Sequence, residues 1–226
     1  MKIILFGGGK VLLDFCKYLL KKNNFTKVYL ITSQRHAKEV FSEENFLDEC
    51  KKLKSNNYSI FDYFITSELD NSIISEFFPA ADLAISIGSA WIFQKRHIIK
   101  FSHLFNLHST ALPQWGGGGG SSWRIMCSDK FTAVTLHKID EGIDTGNIIL
   151  QKKIERPNNS ITPLENDLLT NNLALELLKE FIEKFISKSI DLNGKKQNNE
   201  GASYFPRLNS NIHACINWSW NVKQIS

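Results

Sequence analysis

Apolar residues along the chain form short runs that alternate with stretches of helical spacing. The short runs predict β-strands at residues 3–6, 27–32, 63–66, 83–87, 104–107, 132–137 and 148–152. In residues 11–20 and again in residues 163–188, apolar positions recur every three or four residues, which predicts two amphipathic helices. Strands that alternate with helices are typical of an α/β fold. We therefore predict a Rossmann-like, mostly parallel sheet with helices on both faces over residues 1–190.

The last part of the chain has a different pattern. Residues 193–202 are polar and contain glycine, which predicts a linker. The residues that follow form a short segment rich in aromatic side chains. We expect residues 191–226 to be a small β-rich, hairpin-like appendage to the main domain.

Composition and charge narrow the class of protein. The 226 residues are 42% hydrophobic and 22% charged, which suits one α/β domain with an ordinary core and a small appendage. The net charge of +4 comes without a dense Lys/Arg run, so it favours an anionic small ligand over nucleic acid. No apolar stretch approaches the ~18 residues of a membrane span, and the start lacks the longer apolar run of a secretory signal. We therefore expect a cytoplasmic protein that does not contact a membrane.

The cysteines and histidines indicate neither disulfides nor a metal. The cysteines are far apart and lack C-x-x-C spacing, which predicts reduced thiols: Cys16, Cys50, Cys127 and Cys215. None of the His, Cys or Asp spacings matches a metal-ligand set, so no metal is expected.

Glycines 7–9 follow the first predicted strand and leave two interpretations open. A dinucleotide-binding turn would need a further glycine where Leu12 stands and a carboxylate near Thr32, at the end of the second strand. A tight strand-to-helix turn is therefore favoured. The alternative is a phosphate contact at the N-terminus of the helix, with Gly9 and Lys10 against a substrate diphosphate.

The sequence N-L-H ends the fifth predicted strand and carries the main chemical signal. Residues two apart in a strand point to the same face, so Asn106 and His108 project side by side at the edge of the sheet where α/β folds bind ligands. An amide can hold a developing oxyanion and an imidazole can take a proton, as acyl transfer requires. Asp144, in the loop D-E-G-I-D-T-G, would orient the imidazole. Taken separately, these motifs are equally explained by hydrogen-bonded polar groups at a strand end and by a turn.

The combination of motifs is more specific than its parts. N-x-H is followed by L-P and a glycine run, and then by H-x-x-D-x-G-x-D-x-G. This order is similar to the signature of the formyltetrahydrofolate-dependent formyltransferases. Within that family, the loop from 112 to 123 and the tail S-Y-F-P-R-L with I-N-W-S-W most resemble the sugar N-formyltransferase branch.

The resemblance implies roles for particular residues. It implies that Asn106, His108 and Asp144 form the catalytic triad. It implies 10-formyltetrahydrofolate as the donor, in a pocket formed by Ser86, Gly88, Trp91, Ile92, Ile139, Asp140 and Asp144. It implies that the acceptor contacts Gly9, Lys10, Gly117, Gly118, Gly119, Tyr204 and Arg207. The implied acceptor is a nucleotide-linked amino sugar, dTDP-4-amino-4,6-dideoxyglucose, made for a surface polysaccharide such as the O-antigen of lipopolysaccharide, and the implied assembly is a homodimer.

Several alternatives stay open at this stage. The acceptor could instead be glycinamide ribonucleotide or methionyl-tRNA, and a folate- or nucleotide-binding module without catalysis is the rival from another class. Trp91 and Phe93 are as consistent with the core as with a ligand pocket. The glycine run at 116–120 is interpreted as a close approach to a bulky substrate in preference to a flexible loop. His137 is interpreted as a packing residue, and a packing role for Arg207 is favoured over a phosphate contact.

The sequence also departs from the family pattern. Trp115 and Gly116 occupy a region where the family commonly has a basic residue, and Ser121 stands where an aromatic is usual. Asn217 replaces the usual aspartate before the tail tryptophan. We expect the appendage to be shorter than in the family, without the substrate contacts that a longer tail would provide.

Overall fold

The computed structural model describes residues 1–41, 44–57, 59–70, 72–156, 162–198, 200–209, 211 and 219–221. The predictions made for Cys215, for Asn217 and for most of the aromatic end of the chain lie outside these residues.

The core of the protein is a seven-stranded sheet. Its strands are β1 (Lys2–Gly7), β2 (Lys27–Thr32), β3 (Phe61–Ile65), β4 (Leu83–Ile87), β5 (Leu104–His108), β6 (Phe131–Lys138) and β7 (Ile148–Glu155). The order across the sheet is β3-β2-β1-β4-β5-β6-β7. The first five strands are parallel, and β6 and β7 are antiparallel to their neighbours. The predicted mostly parallel sheet is therefore confirmed.

Helices cover both faces of the sheet. They are α1 (Lys10–Leu20), α2 (Gln34–Ala37), α3 (Phe46–Asn56), α4 (Ser72–Ser75), α5 (Lys95–Ile98), α6 (Gly120–Met126) and α7 (Pro163–Ile186). The two predicted helices are α1 and α7, and α7 begins with a capping box between Thr162 and Glu165. None of the described helices combines the length and the apolar character needed to cross a membrane.

The strand β1 shows how the sheet divides the core. Ile3 and Leu5 belong to a buried apolar cluster that includes residues of α1, α3 and α7. Ile4 and Phe6 belong to a second cluster on the opposite face, with Phe78 and other residues of the α4 region. Alternate residues of a strand point to opposite faces, so each face of β1 is buried under a separate layer.

The chain after α7 returns along the sheet and the loops at its edge. Lys195 forms an isolated β-bridge with Ile148 of β7, and Tyr204 forms another with Gly116. The positions described between 191 and 209 contain these bridges and no regular strand. The hairpin-like appendage, and the domain boundary near residue 190, stay predictions.

Candidate active site

A cavity of about 430 Å³ opens at the carboxyl ends of β4 and β5. The strand order reverses direction between β1 and β4, and open α/β sheets bind ligands beside such a point. Of the predicted site residues, the cavity is lined by Ser86, Gly88, Trp91, Ile92, Asn106, His108, Gly117, Gly118, Ile139, Asp140, Asp144 and Arg207. Gly9, Lys10, Gly119 and Tyr204 are not part of this lining. The structure therefore brings together the three predicted catalytic residues with most of the predicted ligand contacts.

His108 lies at the end of β5 between a carbonyl and a carboxylate. Its Nε2 donates to the backbone oxygen of Trp115 at 2.8 Å, and its Nδ1 lies 3.6 Å from Oδ2 of Asp144. Burial lowers the pKa of His108, while the Asp144 carboxylate and the Trp115 carbonyl act in the opposite direction. In the neutral ring, Nε2 therefore carries the hydrogen and Nδ1 is the nitrogen that can accept a proton.

Asp144 is held by its loop in a conformation that few residues adopt. Its φ of 58° lies in the left-handed region, which aspartate tolerates better than most side chains. Its Oδ2 accepts from the backbone N–H of Gly117 at 2.9 Å. Burial raises the pKa of the Asp144 carboxyl, but the adjacent His137 and His108 rings and the Gly117 N–H outweigh burial and hold the pKa at about 2. Asp144 is therefore ionised at neutral pH.

His137 belongs to this polar cluster, contrary to its interpretation as a packing residue. It is paired with Asn106 across the antiparallel strands β5 and β6, and its Nε2 lies 3.1 Å from Nδ2 of Asn106. The same nitrogen lies 3.6 Å from Oδ1 of Asp144. Its Nδ1 donates to the Lys138 carbonyl at 2.7 Å, so Nε2 accepts a hydrogen bond from the Asn106 amide. His137 thereby fixes which way the Asn106 amide faces.

The loop after β4 gives the cavity an apolar wall. Phe93 is buried and packs edge-on against Phe6 at 5.0 Å, so it belongs to the core. Trp91 lines the cavity, and its Nε1 donates to the Ser67 carbonyl at 2.9 Å. Ile92 and Ile143 also line the cavity and are 72% and 51% exposed. The cavity therefore offers exposed aliphatic side chains to a ligand.

The glycine run at 116–120 approaches the chain's own tail closely. A Cβ on Gly117 would lie 2.5 Å from the Phe205 carbonyl oxygen, and one on Gly119 would lie 2.0 Å from the Pro206 carbonyl oxygen. A Cβ on Gly118 would instead meet the Arg207 side chain, at 3.0 Å. The close backbone approach expected from these glycines is thus explained by the tail. Contacts of Gly117, Gly118 and Gly119 with an acceptor stay predictions.

Two arginines lie near the turn between β1 and α1. Arg35 donates from Nη2 to Nε2 of His36 at 2.9 Å, and Arg207 reaches the cavity from the tail. Burial lowers the pKa of His36, and the charges of Arg35 and Arg207 lower it further, which places both near this ring. Neither arginine forms an ion pair with a carboxylate in the described ranges. Lys10, by contrast, is paired with Asp14 at 2.7 Å.

The profile of the family described as "Formyl transferase" matches residues 1–175. This chain belongs to the formyl transferase family. The matched region contains Asn106, His108, His137 and Asp144, whereas Arg207 and the tail lie beyond it. Across the described part of this formyl transferase family member, no group of three or more His, Cys, Asp or Glu side chains is placed to hold a metal ion.

Curated relatives of this family member include methionyl-tRNA formyltransferases. One from Prochlorococcus marinus (strain MIT 9215) is 28% identical over 234 residues, which cover 100% of this chain and 70% of the relative. One from Clostridium perfringens (strain 13 / Type A) is 33% identical over 120 residues, which cover 53% of this chain and 38% of the relative. The chain thus spans only part of the length of the curated relatives it matches.

Solved structures of similar fold include sugar N-formyltransferases. The N-formyltransferase from Helicobacter canadensis, in complex with folinic acid and dTDP-3-aminofucose, has a TM-score of 0.77 and 27% identity. The alignment covers 100% of this chain and 78% of that one. WlaRD, a sugar 3N-formyl transferase solved in the presence of dTDP and 5-N-formyl-THF, has a TM-score of 0.70 and 26% identity, covering 92% of this chain and 70% of that one.

Proposed function

We propose that this protein transfers a formyl group from 10-formyltetrahydrofolate to the amine of a nucleotide-linked amino sugar. The observation that carries the proposal is the convergence of Asn106, His108 and Asp144 on one cavity. An amide donor, an imidazole and an ionised carboxylate are the groups that acyl transfer to an amine requires.

The donor fits the wall formed by the loops after β4 and β6. Trp91, Ile92 and Ile143 supply flat and aliphatic surface, and Ser86 and the backbone near Gly88 supply polar groups beside it. A pterin and an aminobenzoyl group offer ring faces that pack on apolar surface and edges that carry hydrogen-bonding atoms, which suits such a wall. When bound, 10-formyltetrahydrofolate supplies the activated formyl group. Support also comes from the folate ligands named for the two sugar N-formyltransferase structures.

Different side chains stabilise the developing negative charge and accept the amine proton. One Nδ2 hydrogen of Asn106 is directed to His137, which leaves the second to stabilise the negative charge that develops on the formyl oxygen. His108 accepts the amine proton at Nδ1, directly or through one water, as the amine nitrogen bonds to the formyl carbon, and it would return a proton to the departing tetrahydrofolate nitrogen as the formyl C–N bond of the donor breaks. The Asp144 carboxylate beside Nδ1 then stabilises the imidazolium, while the Trp115 carbonyl keeps its hydrogen bond with Nε2.

The acceptor is proposed from the charges at the rim of the cavity. Arg207 lines the cavity, the positive charges of Arg207 and Arg35 both act on the His36 ring, and neither arginine is ion-paired with a carboxylate among the described residues. Guanidinium groups bind phosphate oxygens through two parallel hydrogen bonds, so the pair suits the diphosphate of a nucleotide sugar. A dTDP-linked 4-amino-4,6-dideoxysugar is the acceptor we propose, in keeping with the dTDP compounds named for both similar structures.

Formylation of methionyl-tRNA is the second candidate. The curated relatives by sequence favour it, since they include methionyl-tRNA formyltransferases of 28% and 33% identity. Both functions would use the same polar cluster and the same donor, so only the acceptor distinguishes them.

An acceptor panel tests the proposal. The purified protein is incubated with 10-formyltetrahydrofolate and one of four amines, and the products are followed by mass spectrometry. The amines are dTDP-4-amino-4,6-dideoxyglucose, a UDP-linked amino sugar, glycinamide ribonucleotide and methionyl-tRNA. We expect formylation of the dTDP sugar with the highest kcat/KM. Formylation of methionyl-tRNA or glycinamide ribonucleotide with neither sugar turned over would overturn the sugar assignment and leave the chemistry of the polar cluster standing.

A further inference from the structure

Residues 203–207, which we call the tail strap, lie along the glycine run like an added strand. Gly116 N–H donates to the Ser203 carbonyl at 2.9 Å, and Phe205 N–H donates back to the Gly116 carbonyl at 2.8 Å. Gly119 N–H donates to the Phe205 carbonyl at 3.0 Å. The backbone of the tail strap is therefore held in one register against the loop that follows β5.

Side chains of the loop also contact the tail strap. The Phe205 ring stacks on Trp115, with ring centres 4.6 Å apart and planes 24° apart. Trp123 Nε1 donates to the Pro206 carbonyl at 2.9 Å. The steric room for this contact exists because positions 117 and 119 are glycine. Glycine at these positions is thus matched to a particular segment of the same chain.

The loop that receives the tail strap also holds two of the proposed catalytic side chains. The Trp115 carbonyl accepts from Nε2 of His108 at 2.8 Å and from the Thr110 hydroxyl at 2.5 Å. The Gly117 N–H donates to Oδ2 of Asp144 at 2.9 Å. Trp115 and Gly117 therefore contact the tail strap on one side and His108 and Asp144 on the other.

We propose that the tail strap is a positioning element of the catalytic site, which acts by fixing the Trp115 carbonyl against His108 and the Gly117 N–H against Asp144. The proposal rests on the roles given to these two side chains above. Phe205 is the positioning residue that makes it testable, because its ring packs on Trp115 and is not part of the cavity lining.

The Trp115 carbonyl also affects the protonation of His108. A hydrogen bond that the imidazolium keeps raises the pKa of the ring, and the Asp144 carboxylate raises it too. His137 and Arg124 of α6 are the other charged or titratable groups that act on it, and both lower its pKa. Loosening the tail strap withdraws the carbonyl, so the pKa of His108 should fall.

Phe205→Ala tests the proposal, with Phe205→Tyr as the conservative variant that keeps the ring. We expect Phe205→Ala to lower kcat about ten- to a hundred-fold, because a displacement near 1 Å in a catalytic group has effects of this size. The KM for the formyl donor should change far less. By NMR titration, the imidazole of His108, assigned by comparison with His108→Gln, should titrate at lower pH than in the wild type. Phe205→Tyr should restore both kcat and the titration.

Two further variants keep the test decisive. Trp123→Phe removes the hydrogen bond to the Pro206 carbonyl, and a smaller shift in the same direction is expected. Leu208→Ala changes a half-exposed side chain next to the strap that lies in neither apolar cluster, and should leave kcat and the titration unchanged. A folded Phe205→Ala protein with wild-type kcat and an unmoved His108 titration overturns the proposal. The NMR titration needs no acceptor, so it separates this outcome from a wrong acceptor.

Discussion

The two walls of the cavity are built in different ways. The donor wall is held by the core and by hydrogen bonds. Phe93 is buried in the core, and Trp91 Nε1 donates a hydrogen bond to the Ser67 carbonyl. Asp70, a few residues further along, accepts hydrogen bonds from both Arg96 and His97. The proposed acceptor wall consists of a glycine loop covered by the tail strap, with Arg207 and Tyr204 exposed. The donor wall and the glycine loop lie within the region that the family profile matches, whereas the tail strap lies beyond it. The proposed acceptor wall therefore combines a loop of the matched region with a segment from outside it.

The largest effect should come from the residues that both walls share. His108→Ala removes the proton acceptor, and Asn106→Ala removes the amide donor to the oxyanion. Each should lower kcat roughly a hundred- to ten-thousand-fold. Steady-state kinetics with the best acceptor measures the loss, and donor binding by calorimetry serves as the control, since it should persist. Near-normal turnover by His108→Ala would contradict the chemistry proposed for both walls.

The next largest effect should come from a matched pair of glycine variants in the loop that contacts the tail strap. Gly119→Ala places a Cβ 2.0 Å from a backbone oxygen of the tail strap, whereas Gly118→Ala places one 3.0 Å from the movable Arg207 side chain. Overpacking against backbone typically costs about 1–3 kcal/mol, so Gly119→Ala should lower the free energy of unfolding by that amount and lower kcat about ten-fold or more. Gly118→Ala should be milder in chemical denaturation and in kcat. Equal effects of the two changes would argue that the tail does not occupy its position in solution.

A pair of substitutions, one in each wall, should separate donor from acceptor. Ile92→Ala removes exposed aliphatic surface from the donor wall, and Arg207→Ala removes a guanidinium from the acceptor wall. Each should raise the KM of one substrate about ten-fold, since removing a few methylenes or one charged hydrogen bond is worth about 1–3 kcal/mol. Ile92→Ala should act on the donor KM and Arg207→Ala on the acceptor KM. If both variants raise both KM values equally, the two walls are not separate sites.

The smallest effect concerns acid stability at the junction of the walls. The pKa of Asp144 is held at about 2, below its ordinary value near 3.8. The native state therefore binds this proton less readily than the unfolded state. The stabilisation that ionised Asp144 gives the native state is present above pH ~4 and is lost as the pH falls toward 2. It amounts to roughly 2 kcal/mol, from about 1.4 kcal/mol per pKa unit. Urea unfolding of wild type and Asp144→Asn between pH 6 and pH 2.5 should show the difference shrinking with acid, and a pH-independent difference would contradict it.

Local features were predicted well from the residues alone, whereas contacts between distant segments were predicted only where the family resemblance supplied them, as for Asp144. The bounds of β2 and β4 follow from their apolar runs, and the closeness of Asn106 to His108 follows from strand periodicity alone. The part played by His137 was missed because it depends on β6 running antiparallel to β5, which places it opposite Asn106. The H-x-x-D spacing before Asp144 was the available signal. The glycine run was linked to a substrate because its partner, 203–207, is more than 80 residues away, and sequence pattern does not report such a contact.

The tail strap also sets when the site can be completed during synthesis. Trp123 and the Pro206 carbonyl are 83 positions apart, so the loop that holds His108 and Asp144 is finished by residues made long after them. Ribosomes add about 5–20 residues per second, and a domain generally folds as a unit. A nascent chain of 190 residues therefore already contains Asn106, His108 and Asp144 but lacks the tail strap that packs against the glycine run. The growing polypeptide gains its proposed catalytic geometry only seconds later, when that segment leaves the exit tunnel.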